Sequence, residues 1–382
     1  MQPAVKSPYL INDDTSWRSE HLRDYLTSHA SLSLAVGGFA IGLALGAIVF
    51  RTNFCAMGSI SDIVSFGDYR RFRAWMLAGA TAIIGAQWLQ FAGVVDLSKS
   101  MYLAPSLNWV GNLAGGALFG FGMVFAGGCA SRNLARAGGG DVRSLMTLVV
   151  LGISAYIAMT GILGPLRAAL EQATALPLGT ASQSLSDLGA RLFNARPGAA
   201  IPITTAAVSG IILAFCFMDP KFRASWPHIA SGVGVGLCIV AGWALTGLTF
   251  DELADKPVAP VSLTFVRPSG DTLEWLQRST ALGLPGFAVA SVFGTIFGAF
   301  VMAIGSGQFR IATFSDKNDT LRNLGGAVLM GIGGIMALGC TVGQGITGVS
   351  TLAAGSFLTL AGLIGGGIVG VRTFEKLLMR DA

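Results

Sequence analysis

The sequence predicts an all-α, polytopic membrane protein with about nine transmembrane helices, short re-entrant helices and an inverted internal repeat. Three observations carry this. The 382 residues are 52% hydrophobic and 12% charged, with a mean hydropathy of +0.65, whereas soluble domains carry roughly 25% charged residues. Apolar stretches close to the ~20 residues needed to cross a bilayer recur along the whole chain. A glycine-rich segment occurs twice, NLAGGALFGFGMVFAGGCAS at 112–131 and NLGGAVLMGIGGIMALGCTV at 323–342. One constant offset of 211 superposes Asn112 on Asn323, Gly115 on Gly326, Gly120 on Gly331, Gly122 on Gly333, Gly128 on Gly339 and Cys129 on Cys340.

In chain order, the apolar stretches fall near 31–50, 73–95, 108–127, 143–164, 201–218, 228–248, 285–306, 322–339 and 354–372. Residues 1–30 carry Asp13, Asp14, Arg18, Glu20, Arg23 and Asp24 and no apolar run, so they read as an extramembrane tail and not as a cleavable signal. A single transport unit is expected over 31–372, with repeats around 34–164 and 201–372, followed by a tail at 373–382. Small residues at four-residue spacing, such as Gly42/Gly46, Gly116/Gly120 and Gly294/Gly298, suit close helix packing in lipid.

The connections are informative too. RTNFCAMGSISD after the first span is matched to QFRIATFSDKND after the seventh, pairing Phe54 with Phe309 and Asp62 with Asp316 as a second pair of re-entrant segments. A third, short echo joins Phe72-Arg73-Ala74-Trp75 to Phe222-Arg223-Ala224-Ser225-Trp226. The stretches near 165–200 and 249–284 read as extramembrane loops, the second one acidic through Asp251, Glu252, Asp255, Asp271 and Glu274.

Fifteen of the 25 Lys and Arg residues fall on the side that holds the loops after spans one, three, five and seven and the C-terminus. The positive-inside bias makes that side cytoplasmic, with the N-terminus out and the C-terminus in. Five crossings then separate the span ending at Cys129 from the span ending at Cys340, so the two copies point in opposite directions. Cys55 and Cys129 approach from the cytoplasmic side and Cys340 from the outer side.

Each copy of the repeat stops being helical at Gly-Cys and continues into a polar run. Backbone interrupted at membrane depth must be buried in protein or line a cavity, and paired interruptions in two halves mark a translocation site. Cys55, Cys129 and Cys340 share this setting, while Cys216 and Cys238 lie in unbroken apolar sequence, as packed small hydrophobes do. A thiol is a weak S–H donor, suited to a soft sulfur anion that must bind and then leave. Ser131, Asn133, Thr341, Gln344, Thr347 and Ser350 stand beside the thiols as donors, and half-helices starting near Ala130 and Thr341 present N-terminal amides to an anion. Arg132 and Arg51 either add positive charge there or snorkel to the interface.

Several functions are disfavoured. His21, His29 and His228 offer no buried pair for haem, no metal or CxxC spacing is present, and no nucleotide motif or Ser/His/Asp arrangement appears. The spans carry almost no carboxylates, which argues against a cation pathway. The reading is therefore of a transporter without cofactor, not an enzyme, and with no nucleic-acid partner.

RTNFCAMGSISD, GGCASRNLARAGGG and GCTVGQGITGVS together resemble the YeeE/YedE family, over about residues 34 to 372. The resemblance implies an inner-membrane thiosulfate permease, hourglass-shaped, with Cys55, Cys129 and Cys340 passing the ion along by S–H···S contacts. It also implies a cytoplasmic TusA-like sulfurtransferase as a separate partner. Arg132 departs from the repeat, where the other copy has Gly343, which leaves the exact anion open. A membrane thiol or persulfide sulfur-transfer protein, a selenium-metabolism protein and a structural subunit with merely packed cysteines are the alternatives.

Overall fold

All nine expected spans are helices in the computed structural model, which describes residues 26–192, 197–252 and 258–381. Most of the 1–30 tail lies outside the described residues. The first span is α1, Ala30–Thr52, which ends at Asn53 in the left-handed conformation (φ 53°) that commonly closes helices. After it come α2, Ala56–Ser61, a π turn over Asp62–Phe66, and α3, Arg70–Phe91. A short strand β1, Ser106–Asn108, leads into α4, Trp109–Phe125, started by Asn108 Oδ1 accepting the Gly111 N–H at 3.1 Å. The chain breaks at Cys129 and resumes as α5, Ala130–Gly138, and α6, Val142–Met159.

The second half follows a connector of α7, Gly164–Thr174, β2, Ala175–Pro177, which pairs antiparallel with β1, and α8, Leu185–Leu192. Then come α9, Pro197–Phe217, α10, Pro220–Arg223, α11, Trp226–Leu248, α12, Val266–Leu282, and α13, Phe287–Gly305. The last elements are α14, Lys317–Met336, a π turn at Gly343–Gly348, and α15, Ala354–Asp381. Among the described residues, seven helical stretches are long and apolar enough to cross a membrane on those grounds alone. The other two of the nine, α3 and α14, open on charged turns containing Arg70, Arg71 and Arg73, and Lys317, Asp319 and Arg322.

Helix contacts reveal the symmetry. Gly115 of α4 abuts Gly333 of α14, and Gly122 abuts Gly326; a methyl group on Gly115 or on Gly122 would lie 2.7 Å from the facing carbonyl oxygen. Rising numbers meet falling ones, so the two helices are antiparallel. The offset of 211 converts Gly115 into Gly326 and Gly122 into Gly333, so the contact is self-complementary, as a two-fold contact must be. The repeat is inverted.

The halves also interlock. Gly42 and Gly46 of α1 meet Ser291 and Thr295 of α13, while Gly294 and Gly298 meet Phe39 and Leu43, and here both helices run parallel. The repeat-related pair does the same: Gly232 and Gly236 of α11 meet Ala74 and Ala78 of α3. Gly116 and Gly120 of α4 lie against Thr359 and Leu363 of α15. Glycines bring backbones together where lipid gives no hydrophobic drive for association. Ile84, Trp88, Phe297 and Ile304 remain exposed on the outer faces of α3 and α13.

Three readings change. The repeat mate of the Cys55 segment is not 309–316 but the segment entering α12: the offset of 211 continues, so Phe54 falls on Phe265 and Cys55 on Val266. Residues 309–316 instead form an extended link whose Ala312 bridges Asp141. The acidic residues that made 249–284 read as a loop include Asp271 and Glu274 on α12, both against the Tyr156 hydroxyl at 2.7 and 2.8 Å. Phe72–Trp75 and Phe222–Trp226 are neighbours and not repeat mates, joined by an Arg73–Asp219 ion pair. Residues 373–381 continue α15.

Candidate functional site

Two Gly-Cys breaks built alike come first. In one copy Ala126 N–H bonds Gly122 O, Gly127 N–H bonds Val124 O and Gly128 N–H bonds Met123 O; in the other Ala337, Leu338 and Gly339 bond Gly333, Ile335 and Gly334. Gly127 and Leu338 take the same left-handed conformation, with φ 70° and 59°. This closes each helix and turns the chain back, so that a cysteine sits at each bend. Leu338 bears a side chain where glycine is preferred, a strain of about 1–2 kcal/mol.

The neighbouring amides hold these bends. Asn133 Nδ2 donates to Gly128 O at 2.9 Å and to Cys129 O at 3.3 Å. Its repeat mate Gln344 donates from Nε2 to Ala337 O at 2.6 Å and accepts Ser356 Oγ at 2.6 Å. Thr347 Oγ1 donates to Leu263 O at 2.7 Å, fixing the segment that enters α12. Ser350 Oγ accepts the Trp243 indole N–H at 3.0 Å. Arg136 Nη1 clamps Gly127 O at 2.9 Å and is itself held by Asp141 at 2.6 Å. Burial alone would raise the Asp141 pKa, but the Arg143 hydrogen bond and the Arg136 charge together bring it below its ordinary value.

The three thiols converge. Cys55, Cys129 and Cys340 are all buried, and all the described cysteines are free. Cys129 lies close enough to Cys55 and to Thr341 for their side chains to interact with its own. Ser131 Oγ lies 3.4 Å from its sulfur. Cys340 is within electrostatic reach of Cys129 and faces the Phe265 N–H. Cys55 Sγ accepts the Gly58 N–H at 3.4 Å, and Cys340 Sγ accepts the Gly343 N–H at 3.3 Å. A sulfur that accepts an amide proton keeps its own S–H to donate. The order in space is Cys55, Cys129, Cys340. Cys216 instead donates to Arg73 O at 3.3 Å, and Cys238 is buried on α11.

Arginines border the Cys55 end of this line, and two aromatic residues pack against the segment that follows Cys340. Arg132, partly buried, bonds Asn53 Oδ1 at 2.6 Å, and Arg71 bonds Asn53 O at 2.9 Å. Arg51 is exposed on the last turn of α1. Beside Cys340 stands Tyr102, whose ring meets Trp243 edge-on at 6.4 Å. Trp75 packs against Gly345, where a methyl group would lie 2.5 Å from its ring. Tyr102 Oη, Trp75 Nε1 and Thr341 Oγ1 are buried without a formed hydrogen bond. A buried donor left unpaired costs about 1–3 kcal/mol, so each of these three atoms has a hydrogen bond still to offer.

The sequence-derived residues thus divide. Cys55, Cys129, Cys340, Ser131 and Thr341 are brought together; Arg132 flanks them; Asn133, Gln344 and Thr347 have committed their donors to backbone carbonyls. Trp75, Tyr102, Asn53 and Arg71 were missed. Tyr102 has no local signal, lying between spans, and Arg71 counted merely as one more charge on the basic side. No group of three or more His, Cys, Asp or Glu able to hold a metal occurs among the described residues.

Comparison with known proteins gives the chain a family. The family described as Sulphur transport matches residues 51–369. The chain is 26% identical over 333 residues to the thiosulfate transporter TsuA of Escherichia coli, covering 82% of this chain and 87% of that protein. It is 28% identical over 329 residues to the thiosulfate transporter TsuA of Spirochaeta thermophila, covering 83% and 92%.

Proposed function

The chain belongs to the sulphur-transport family, and on that premise we propose that it takes up thiosulfate through the line of Cys55, Cys129 and Cys340. The observation that carries the proposal is the convergence of three buried thiols at inverted helix breaks, beside buried donors that lack partners. Thiosulfate has a soft terminal sulfur and hard oxygens. The S–H groups meet the sulfur, each weakly, so that no site holds the ion for long. Tyr102 Oη and Thr341 Oγ1 meet the oxygens on the Cys340 side of Cys129, and Trp75 Nε1, beside Gly345, offers a further buried donor. Ser131 supports Cys129, while Asn133, Gln344 and Thr347 act by holding the bends that aim the thiols.

Sulfate is discriminated against because it has no soft atom to exchange for its tightly held water, and weak S–H donors do not replace that hydration. In this reading the arginine-rich side is cytoplasmic, the membrane is the inner one, and a soluble TusA-like sulfurtransferase receives the product. The three sulfurs undergo no lasting covalent change. A chain that gains the mass of one sulfur during turnover would favour persulfide exchange instead.

The test is uptake of labelled thiosulfate, sulfate and sulfite into proteoliposomes that contain this chain alone. Thiosulfate is expected to enter, at least tenfold faster than sulfate. Equal entry of all three would remove the reason for assigning the thiols a role.

A further inference from the structure

Among the described residues, three other than glycine are left-handed, Asn53, Leu338 and Leu352, and Asn53 is the one that two guanidinium groups hold. Arg71 Nη2 donates to its backbone oxygen at 2.9 Å, and Arg132 Nη2 donates to its side-chain oxygen at 2.6 Å. Arg71 reaches this point because Gly58 has no Cβ: one placed there would lie 2.8 Å from the guanidinium carbon. Gly58 is also the residue whose N–H binds Cys55 Sγ. The turn that holds the thiol therefore also seats the Arg71 guanidinium.

The charge balance here is positive. Arg71 pairs with Asp62 at 3.0 Å, whereas Arg132 has neutral partners, Asn53 Oδ1 and Val49 O. Arg71 Nε is buried without a hydrogen bond. Neutral carbonyl oxygens are poorer partners for guanidinium than an oxyanion is, since charge-assisted bonds are roughly twice as strong. Asn53, exposed at this mouth, fills with two neutral oxygens a place shaped for two oxygens of one anion.

We propose that Arg71 and Arg132 form an anion site at the arginine-rich mouth of the thiol line, and that Asn53 occupies it when the mouth is closed. This rests on the transport reading above. An ion leaving Cys55 displaces the Asn53 oxygens, spends a short time on the two guanidiniums and then enters bulk solvent. The conformation of Asn53 suits the part, because asparagine visits the left-handed region more easily than other residues that have a side chain. The same contacts would equally cap the last carbonyls of α1, so the test has to separate the two roles.

Asn53→Gly removes the side-chain oxygen and tolerates the left-handed backbone. If Asn53 competes with the ion, this variant lowers the KM for thiosulfate uptake three- to tenfold with no loss of maximal rate. The double variant Arg71→Gln, Arg132→Gln is expected to lose at least tenfold in uptake and most of its dependence on ionic strength. Arg→Lys at both positions restores part of each, and it is the dependence on ionic strength that a helix-capping role alone would leave unmoved. Wild-type uptake and KM in a folded double Gln variant, with Cys129→Ala inactive in the same assay, would overturn this inference and leave the transport reading standing. If the double variant does not fold, an unchanged KM in Asn53→Gly overturns it. A wild-type chain that takes up no thiosulfate ends both.

Discussion

Replacing Tyr102 with Phe separates function from stability at one atom. The Tyr102 hydroxyl is buried and unpaired, and the ring it sits on is fixed by edge-on contact with Trp243. Phe keeps the ring and removes the oxygen. An unpaired buried hydroxyl costs about 1–3 kcal/mol, so the variant is expected to unfold at the same temperature as the wild type or a higher one. A hydrogen bond to a charged partner is worth about 1.5–3 kcal/mol. If that bond forms as the ion passes, losing it slows uptake roughly 10- to 150-fold, at ~1.4 kcal/mol per decade of rate. The assay pairs initial rates of thiosulfate uptake in proteoliposomes with the unfolding midpoint of the same preparation. Uptake within twofold of wild type would refute the assignment, and a fall in both quantities would mean that the hydroxyl has a structural partner.

The other expectations concern how the thiols are held. Asn133→Ala strips hydrogen bonds from Gly128 O and Cys129 O, at a cost of about 1–3 kcal/mol. Folded yield by size-exclusion chromatography should fall, while the folded fraction keeps the wild-type preference for thiosulfate over sulfate. Gly115→Val drives a branched side chain into Gly333, and overpacking of about 1–3 kcal/mol at the two-fold contact should lower the unfolding midpoint, whereas the same change at exposed Gly325 of α14, where an added Cβ meets nothing, should not. Asp141→Asn weakens the hold on Arg136, and so on Gly127 O, by about 1.5–3 kcal/mol. Because its folded pKa is depressed, the stability Asp141 contributes is present above the ordinary carboxylate range and lost as pH falls through the folded pKa. Acid should therefore destabilise the wild type more than Asp141→Asn in unfolding curves taken from neutral pH downward.

Much of the architecture was legible because the repeat is gapless. An offset of 211 aligns Gly115, Gly122, Gly128 and Cys129 with their mates, and those same residues make the two-fold contact and the two bends. The Cys55 segment was mismatched because its mate keeps Phe265 but has Val266 in place of the thiol, and because Asp271 and Glu274 made α12 look like a solvated loop. Their carboxylates lie against Tyr156, a contact 115 and 118 residues distant in sequence. Asn133 and Gln344 were legible as polar residues beside the thiols, yet composition does not say which way a donor points. Tyr102 and Trp75 were illegible for the converse reason. An aromatic residue gains its meaning here from a hydroxyl or indole N–H left unpaired by the tertiary packing, and no local pattern encodes that.

The most direct measurement compares two complementary variants. One keeps Cys55, Cys129 and Cys340 and replaces Cys216 and Cys238 with Ala; the other does the reverse. In proteoliposomes of equal protein content, the first is expected to take up thiosulfate as the wild type does and the second no faster than empty vesicles. Thiosulfate uptake by the second variant at a rate near that of the first would contradict passage along the three thiols.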